Sequence, residues 1–384
     1  MDKKLISLLF VIPFLLPVMA QNEDVLNKIK SIEKEFAPDK RVVIFDVNLV
    51  EDDNVLLLQG ETSCKHAHEK LDEMTTDKLK NNVRLLPDDA TDGLSYGVLY
   101  NSVGTIHRAA AYSSETVTQT LMGTPVRVLD KKGGWFRIQT PDKYIGWING
   151  AVKRMTKEEQ QDYLCMPKVI VTSLFASSFQ QANINSSTLS DLVVGNIISV
   201  IGEDDSFFEV LYSDNRKGFV SKTDAILLNQ WEPEQTKESI VVLSKQFAGI
   251  PYVWGGTSSK GLDCSGFTKT VYYMHDIVLP RDASQQVLTG ELIDEKGEFD
   301  KLVLGDLVFF GDKATDENPK ERIVHVGIYI GNYHFIHASD YIRVNSFNPD
   351  DELFDEFNTN RYLRTKRVLG DTKLRSVKSL YNCK

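Results

Sequence analysis

The sequence predicts an α+β protein whose C-terminal domain follows two copies of a small all-β unit and a small α/β module at the N-terminus. Three observations lead to this prediction. In the last third of the chain, helical periodicity precedes several alternating strand patterns. Residues 123–148 recur at 195–220, an offset of 72 positions, which indicates a repeated structural unit. The segment before the repeats mixes helical and strand patterns.

The chain of 384 residues is long enough for several domains. We place a leader, an N-terminal module, a first β unit, a second β unit and a C-terminal domain at residues 1–20, 21–95, 96–165, 166–232 and 233–384. The formal net charge of −10 argues against a nucleic-acid partner, which would require a basic face.

The leader has the pattern of a secretory signal peptide. Two lysines precede an apolar run over residues 5–17, and Val18 and Ala20 are the small residues expected before a cut at Gln21. The alternative is a membrane anchor, but the run is short for a bilayer and two prolines interrupt it. We therefore expect a periplasmic or secreted protein with no stable membrane insertion once the leader is removed.

The N-terminal module is predicted to contain a helix over residues 23–35, strands over 41–50 and 54–63, and a second helix over 64–74. The second helix starts with "CKHAH", which offers a cysteine and two histidines as metal ligands. Positions i and i+2 of a helix point to different faces, so these side chains are poor joint ligands. We expect no metal site and no cofactor.

Each copy of the repeat is predicted to fold as short strands separated by polar turns, which is typical of a small barrel or meander. Gly123 matches Gly195, and Trp135 matches Phe207. The polar, proline-containing stretch at 230–239 then links the second copy to the C-terminal domain.

The C-terminal domain is predicted to begin with helices and to continue with antiparallel strands. The expected helices lie at residues 240–249, 264–275 and 280–290, and the expected strands at 306–310, 324–330, 333–340 and 341–347.

Four cysteines, Cys64, Cys165, Cys264 and Cys383, are too few and too scattered for a disulfide framework. In an oxidising compartment Cys64, Cys165 and Cys383 could pair in some way. Cys264 differs from them because Asp263 suits the N-cap of a helix that starts at the cysteine. The thiol then lies at the positive end of the helix dipole, which favours the nucleophilic thiolate.

A nucleophilic cysteine needs a base, and two histidines share a predicted hairpin. If the hairpin loop contains three residues, 331–333, His325 pairs with Ser339 and lies on the same face as His337. A two-residue loop would place the two histidines on opposite faces. His334 is expected to face away from the pair, and His275, late in the helix, is expected to be solvated.

The C-terminal domain resembles the NlpC/P60 family of papain-like cysteine peptidases. The matching segments, in order, are "PYVWGG", "DCSGF", "LPRDASQQ", "GDLVFF", "HVGIYIG" and "FIHAS". One departure is Tyr333, where the family turn usually has glycine. The pattern of glycine, "GWFRI" and "GWI" in the first β unit similarly resembles bacterial SH3 domains, which often accompany such peptidases.

The resemblance implies a hydrolase, a thiol protease in which Cys264 is the nucleophile, His325 the base and His337 the third, polar member. It implies hydrolysis of peptidoglycan stem peptides in the cell wall, between γ-D-glutamate and the next diamino acid. The thiol chemistry itself needs no metal.

In members with SH3 domains, the first such domain is implied to border the active site and to restrict the enzyme to stem peptides with a free N-terminal L-alanine. A free amine requires carboxylate, phenol or hydroxyl oxygens. The residues expected to bind substrate are Asp263, Ser265, Tyr252, Tyr144 and Glu115. The second β unit has Arg216 where the first has Tyr144, which fits a role confined to the first unit.

Two alternatives remain open at this point. The protein could bind the cell wall through its SH3-like repeats without catalysis, although Cys264, His325 and His337 are all present. It could also use the same Cys–His pair as an amidase or acyl transferase.

Overall fold

The computed structural model describes residues 15–53 and 55–383. The first 14 residues of the predicted leader therefore lie outside the described residues. The chain forms two compact units, Met1–Asp88 and Asp89–Lys384. Among the described residues, no helix is both long and apolar enough to cross a membrane.

The N-terminal unit is a three-stranded sheet accompanied by two helices. Its elements are α1 (Leu15–Phe36), β1 (Phe45–Asp52), β2 (Val55–Thr62), α2 (Lys65–Asp72) and β3 (Leu79–Leu85). β2 pairs antiparallel with β1 and parallel with β3, and α2 forms the crossover. The sequence does not predict β3, because only Leu79 and Val83 of its residues are buried.

The "CKHAH" segment serves the packing of this unit. The Nε2 atom of His68 lies 2.9 Å from the carbonyl oxygen of Val83, and its Nδ1 atom lies 3.1 Å from Asp72 Oδ2. Among the described residues, no group of three or more His, Cys, Asp and Glu side chains is arranged to hold a metal ion.

The two β units have the same topology. The first unit contains β4 (Tyr96–Leu99), β5 (Val103–His107), β6 (Thr116–Leu121), β7 (Pro125–Lys132), β8 (Trp135–Gln139), β9 (Ile145–Asn149) and β10 (Val152–Met155). After α3 (Lys157–Cys165), the second contains β11 (Lys168–Val171), β12 (Phe175–Phe179), β13 (Thr188–Val193), β14 (Ile197–Glu203), β15 (Phe207–Leu211), β16 (Lys217–Ser221) and β17 (Ala225–Leu227). The strand orders β10-β4-β7-β8-β9-β5-β6 and β17-β11-β14-β15-β16-β12-β13 correspond strand by strand, which confirms the repeat.

The two β units contact each other at the turn before β7. Gly123 adopts a φ of +81°, and a Cβ atom there would lie 1.8 Å from the carbonyl oxygen of Ile197. The amide of Ile197 in turn donates to the carbonyl oxygen of Met122 (3.0 Å). The conformation and the close approach both require glycine at this turn.

The C-terminal domain is a six-stranded antiparallel sheet with helices on one side. Its elements are α4 (Lys237–Gln246), β18 (Thr257–Ser258), β19 (Gly261–Leu262), α5 (Cys264–Tyr273), α6 (Ala283–Gln286), β20 (Glu291–Asp294), β21 (Leu307–Asp312), β22 (Arg322–Gly331), β23 (His334–Ser339), β24 (Tyr341–Ser346), α7 (Glu356–Asn360) and β25 (Tyr362–Arg367). The strand order is β20-β25-β21-β22-β23-β24. Apolar residues of α5, including Phe267 and Val271, pack against the sheet in a single core.

Two expectations for this domain differ from the structure. The helix expected over residues 280–290 is a single turn, because only 283–286 are helical. His275 is buried rather than solvated, so that expectation is wrong. Its Nδ1 atom lies 2.7 Å from the carbonyl oxygen of Val271, and the backbone of Ser239 in α4 is a second partner. The ring therefore ties α5 to α4.

A disulfide joins Cys165 at the end of α3 to Cys383 near the C-terminus, across 218 residues of sequence. Cys64 and Cys264 are free. The segment before Cys383 is also fixed to the domain, because Ser376 Oγ donates to Asp276 Oδ2 (2.8 Å). The helix between the two β units is thus bonded covalently to the end of the catalytic domain.

Removing this disulfide should destabilise the protein. We expect Cys165→Ser combined with Cys383→Ser to lower the free energy of unfolding by about 2–4 kcal/mol, since a cross-link over a long loop restricts the unfolded chain. Guanidinium unfolding curves would measure the change. The matched control is Cys64→Ser, which removes a free thiol and should shift the curve little. Coincident curves for the double variant and the parent would contradict the prediction.

Candidate active site

The N-terminus of α5 places Cys264 at the centre of the C-terminal domain. Asp263 is the N-cap, and its Oδ1 atom accepts from the amide of Gly266 (2.7 Å), as the sequence predicts. A Cβ atom on Gly266 would lie 1.9 Å from the carbonyl oxygen of Gly256. The glycines of "WGG" and "CSG" therefore let the preceding loop close against the first turn of the helix.

The hairpin that carries His325 and His337 corrects one prediction. Its loop has two residues, because Gly331 pairs with His334; the expected three-residue loop is wrong. A bulge at Ile330 shifts the register, so that Tyr329 pairs with Phe335 and the strands continue in the predicted register. The extra residue at Ile330 compensates for the residue that the loop lacks. Each side chain before the bulge therefore projects from the face of the sheet that a three-residue loop would give it. The two histidines consequently lie on the same face.

The turn itself has the conformation of a tight hairpin with both central residues in the left-handed region. Asn332 has a φ of +51° and Tyr333 a φ of +63°, as a type I′ turn requires. The amide of Tyr333 donates to the hydroxyl oxygen of Tyr329 (3.1 Å). The Tyr333 hydroxyl bonds Asp300. These two bonds hold a bulky residue where glycine is usual.

His325, His337 and Asn345 form a row of hydrogen bonds in which the donor and the acceptor of each bond can be assigned. His325 Nε2 lies 2.7 Å from His337 Nδ1, and His337 Nε2 lies 2.9 Å from Asn345 Oδ1. The amide of Asn345 is oriented by donation from Nδ2 to the carbonyl oxygen of Leu353 (3.3 Å). Its Oδ1 atom therefore accepts from His337, so neutral His337 accepts at Nδ1 from His325 Nε2. This order leaves the Nδ1 lone pair of His325 available as a base.

The thiol of Cys264 lies next to the histidine row. The backbone of Val326, the residue after His325, and the backbone of Ser265 both lie close enough to the sulfur to lower the pKa of the thiol. The thiol is buried, and so are both imidazoles. The structure thus brings the cysteine and the two histidines that the sequence singles out into one largely buried region.

The electrostatics of Cys264 differ from the sequence expectation. Burial, with the charge of Asp263 as the second cause, raises the pKa of the Cys264 thiol to about 12. The dipole of α5 favours thiolate, but desolvation of the charged form outweighs it, so the expected lowering of the thiol pKa is not found. Burial and the neighbouring His337 hold the pKa of His325 well below its usual range. Burial also lowers the pKa of His337 to about 4. Each of these shifts favours the uncharged form of its group.

Asp263 is engaged in a buried ion pair that the sequence does not reveal. Arg281 is only 1% exposed and donates from Nη2 to Asp263 Oδ2 (2.5 Å) and from Nη1 to Asp263 Oδ1 (3.1 Å). The same guanidinium donates to Ser265 Oγ (2.9 Å) and to Thr118 Oγ1 of the first β unit (2.8 Å). The carboxylate of Asp263 and the hydroxyl of Ser265 therefore organise the start of α5.

The first β unit reaches the site through Tyr144. Its hydroxyl donates to Asp282 Oδ2 (3.2 Å), and Asp282 follows Arg281 directly in the chain. Asp282 was not among the predicted site residues. The only sequence signal for it is its place in the "PRDASQQ" segment.

The second predicted residue of the first β unit, Glu115, contacts the loop before the cysteine. Its Oε1 atom accepts from the indole of Trp254 (3.0 Å), and its Oε2 atom is paired with Arg108 (2.7 Å). Tyr252 belongs to the same loop; burial, and then its proximity to Cys264 and Asp263, raises the pKa of its phenol. Asp263, Ser265 and Tyr252 therefore border the cysteine, Glu115 contacts the loop that precedes it, and Tyr144 contacts Asp282 at the start of α6.

Sequence reasoning missed three site residues: Arg281, Asp282 and Asn345. Arg281 and Asp282 lie in a segment that resembles the family, but nothing in its composition shows which charges are buried. Asn345 lies on β24, ten residues after Phe335, with which it pairs. Only the strand register places it beside His337.

Comparison with known proteins agrees with these observations. Residues 249–364 match the NlpC/P60 family, and residues 106–151 match the bacterial dipeptidyl-peptidase SH3 domain. The chain is 33% identical over 232 residues to a gamma-D-glutamyl-L-lysine dipeptidyl-peptidase of Bacillus cereus, covering 58% of this chain and 66% of that protein. It is also 33% identical to the murein DD-endopeptidase MepS/murein LD-carboxypeptidase of Escherichia coli, covering 39% of this chain and 76% of the relative.

A crystal structure of an NlpC/P60 family protein from Bacillus cereus superposes with a TM-score of 0.61 at 25% sequence identity. The match covers 72% of this chain and the whole of that protein. The agreement thus extends beyond the catalytic domain. The chain belongs to the NlpC/P60 family and is a peptidase that carries a bacterial dipeptidyl-peptidase SH3 domain ahead of its catalytic domain.

Proposed function

We propose that this protein is a peptidoglycan hydrolase that cleaves stem peptides between γ-D-glutamate and the following diamino acid. The observation that carries the proposal is the hydrogen-bonded row of His325 and His337 beside the buried thiol of Cys264. The relative named gamma-D-glutamyl-L-lysine dipeptidyl-peptidase supports the bond, and the relative named murein DD-endopeptidase supports peptidoglycan as the substrate class. The predicted leader supports action outside the cytoplasm.

The geometry supports nucleophilic catalysis by the neutral pair. As the sulfur of Cys264 attacks the scissile carbonyl carbon, its proton passes to Nδ1 of His325. The resulting imidazolium is stabilised by its Nε2–H bond to His337, which is anchored by Asn345. The imidazolium then protonates the leaving amine, a thioester remains on the sulfur, and water hydrolyses it.

The start of α5 supplies a site for the oxyanion. The first amides of a helix have no partner within it, and they carry the positive end of its dipole. The amide of Gly266 is already used by Asp263, whereas the amide of Cys264 lies next to the reacting sulfur. The amide of Cys264 would donate to the oxygen that becomes negative during attack.

On the side of the active site that the first β unit forms, the side chains suit a positively charged amine of the substrate. Asp263 is neutralised by Arg281, so it adds little net charge. The carboxylate of Asp282 is 28% exposed; it lies 3.9 Å from Arg281 Nη1 and accepts from the hydroxyl of Tyr144 (3.2 Å). A free N-terminal L-alanine would bring an ammonium to this carboxylate, whereas a sugar-linked stem carries an uncharged amide there. We therefore assign the enzyme to soluble stem peptides released during wall turnover.

The catalytic roles predict a graded set of losses. Cys264→Ala and His325→Ala should each lower kcat by about a thousandfold or more, because nucleophile and base act as a unit. His337→Asn should lose less, since an amide oxygen can still accept from His325. Release of the diamino acid from a synthetic tripeptide would measure the rates, and circular dichroism would verify folding.

The control for this series is His334→Ala on the same hairpin. His334 pairs with Asp351 at 2.9 Å, outside the row, so the variant should remain nearly fully active. Near-normal turnover in folded Cys264→Ala or His325→Ala would reject the mechanism.

The pKa shifts predict an unusual pH dependence. Because the pKa of His325 lies well below 6.5, the base stays neutral in mild acid, and the acid limb of kcat/KM should fall below pH 6.5. Because the pKa of Cys264 is raised to about 12, alkylation of the free enzyme should keep accelerating above pH 9.

Iodoacetamide labelling in a Cys64→Ser background would isolate Cys264 as the free thiol. Labelling of the unfolded protein is the control, because its thiol should titrate near pH 8.5. A labelling rate in the folded enzyme that levels off near neutral pH would show a preformed thiolate–imidazolium pair and contradict the prediction.

The free-amine requirement predicts strong discrimination between two otherwise identical peptides. L-Ala-γ-D-Glu-diamino-acid should be cleaved about a hundredfold faster than its N-acetylated form, since a carboxylate without its ammonium partner loses a charge-assisted bond. Tyr144→Phe and Asp282→Asn should reduce this ratio while labelling of Cys264 persists. Mass spectrometry of the products would give both rates.

The matched control is Arg216→Ala, at the position of the second β unit that corresponds to Tyr144. The variant should leave the ratio unchanged. Equal rates on the free and acetylated peptides would contradict the free-amine hypothesis. The protein would then be an endopeptidase that accepts wall peptides whether or not their N-terminus is free.

A further inference from the structure

A cleft lies beside His325, and Tyr252 of the loop that precedes Cys264 forms part of its wall. Its volume is about 680 Å³, and we call it the arginine cleft after the two guanidinium groups in its wall. Its lining includes His325, Asp340, Arg343, Asp355, Phe357 and Arg361.

The role of His325 in the proposed reaction identifies which part of the substrate this cleft would hold. In the proposed function, His325 protonates the amine that leaves when the peptide bond breaks. The leaving residue must therefore lie beside His325, while the L-alanine end lies beside Tyr144 and Asp282. Because His325 forms part of the cleft wall, the leaving diamino acid would occupy the cleft.

Arg343 offers a guanidinium with spare hydrogen-bonding capacity. It lies on β24 directly opposite His337, and its nearest ionic partner is the exposed Asp340, with Nη1 at 3.6 Å from Oδ2. Its Nε atom is buried and has no hydrogen-bond partner within the described part of the chain. A buried donor of this kind is costly unless a ligand pairs with it.

Arg361 places a second positive charge in the same cleft. It lies at the end of α7, where its Nε atom donates to Asn358 Oδ1 (3.0 Å) and its guanidinium stacks at 4.3 Å over the ring of Phe357. These contacts fix the plane of the guanidinium. Its charge acts on both His325 and Cys264, so it lies close to the scissile bond, and the carboxylate of Asp355 in the same wall partly balances that charge.

We propose that the arginine cleft selects a diamino acid with a carboxylate on its side chain, of the diaminopimelate class, over lysine. The leaving residue of a lysine tripeptide carries one carboxylate and one ammonium. A diaminopimelate tripeptide carries two carboxylates and one ammonium. Two guanidiniums match the two carboxylates, and the exposed carboxylate of Asp340, which lies 3.6 Å from Arg343, would accept the ammonium. This inference rests on the proposed function and specifies its substrate.

Three tripeptides with a free L-alanine test the inference: one ending in meso-diaminopimelate, one in the same residue amidated at the distal carboxyl, and one in L-lysine. The amidated peptide keeps the shape and removes only the charge. We expect kcat/KM for diaminopimelate to exceed both others by about tenfold or more, the range of one charge-assisted hydrogen bond.

Variants then assign the preference to the two arginines. Arg343→Gln and Arg361→Gln should each lower kcat/KM for the diaminopimelate peptide about tenfold, mainly through KM, and change the lysine peptide little. The matched control is Arg322→Gln on β22, whose side chain is 76% exposed and points away from the cleft lining; it should alter neither peptide.

The outcomes separate the two proposals. Similar rates on all three peptides, or a preference for lysine, would overturn the inference and leave the proposed function standing. Equal losses on all three peptides in both arginine variants would also overturn it, because the arginines would then act in catalysis rather than selection. No cleavage of any peptide by the parent enzyme would refute the proposed function, and this inference with it.

Discussion

The buried ion pair between Arg281 and Asp263 is the interaction on which the site depends. It joins the N-cap of the nucleophile helix, the hydroxyl of Ser265 and Thr118 of the first β unit through one guanidinium. Removing either partner would leave a charge buried without compensation, which costs several kcal/mol in typical proteins. The first β unit is therefore part of the catalytic architecture, since it supplies one of the bonds that satisfy the arginine.

Burial determines the chemical state of the reacting groups. The dipole of α5 and the backbone donors near the sulfur favour thiolate, but burial and the adjacent Asp263 outweigh them. Burial likewise lowers the pKa of His325 and of His337, which favours their neutral forms. A resting site without net charge on its nucleophile and base is consistent with proton transfer that accompanies attack, and it shields the thiol from reaction in an oxidising compartment.

Much of the fold follows from local pattern, whereas the finer placement depends on tertiary contacts. The repeat and the start of α5 at Cys264 were predicted, because periodicity and capping are local signals. The shared face of the two histidines was predicted from a three-residue loop, whereas the structure reaches it with a two-residue loop and a bulge at Ile330. The bulge has no sequence signature. The burial of His275 and of Arg281 depends on partners distant in sequence, so composition could not reveal either one.

The bulged hairpin has a consequence for how members with this turn can diverge. The side of the sheet on which a residue projects depends only on whether the count of residues to a fixed point is even or odd. An insertion or deletion of one residue between His325 and His337 would move one imidazole across the sheet. Such a change is tolerable only with a second, compensating one, as the two-residue turn and the bulge at Ile330 compensate here. Length changes in this hairpin should therefore be inherited in pairs.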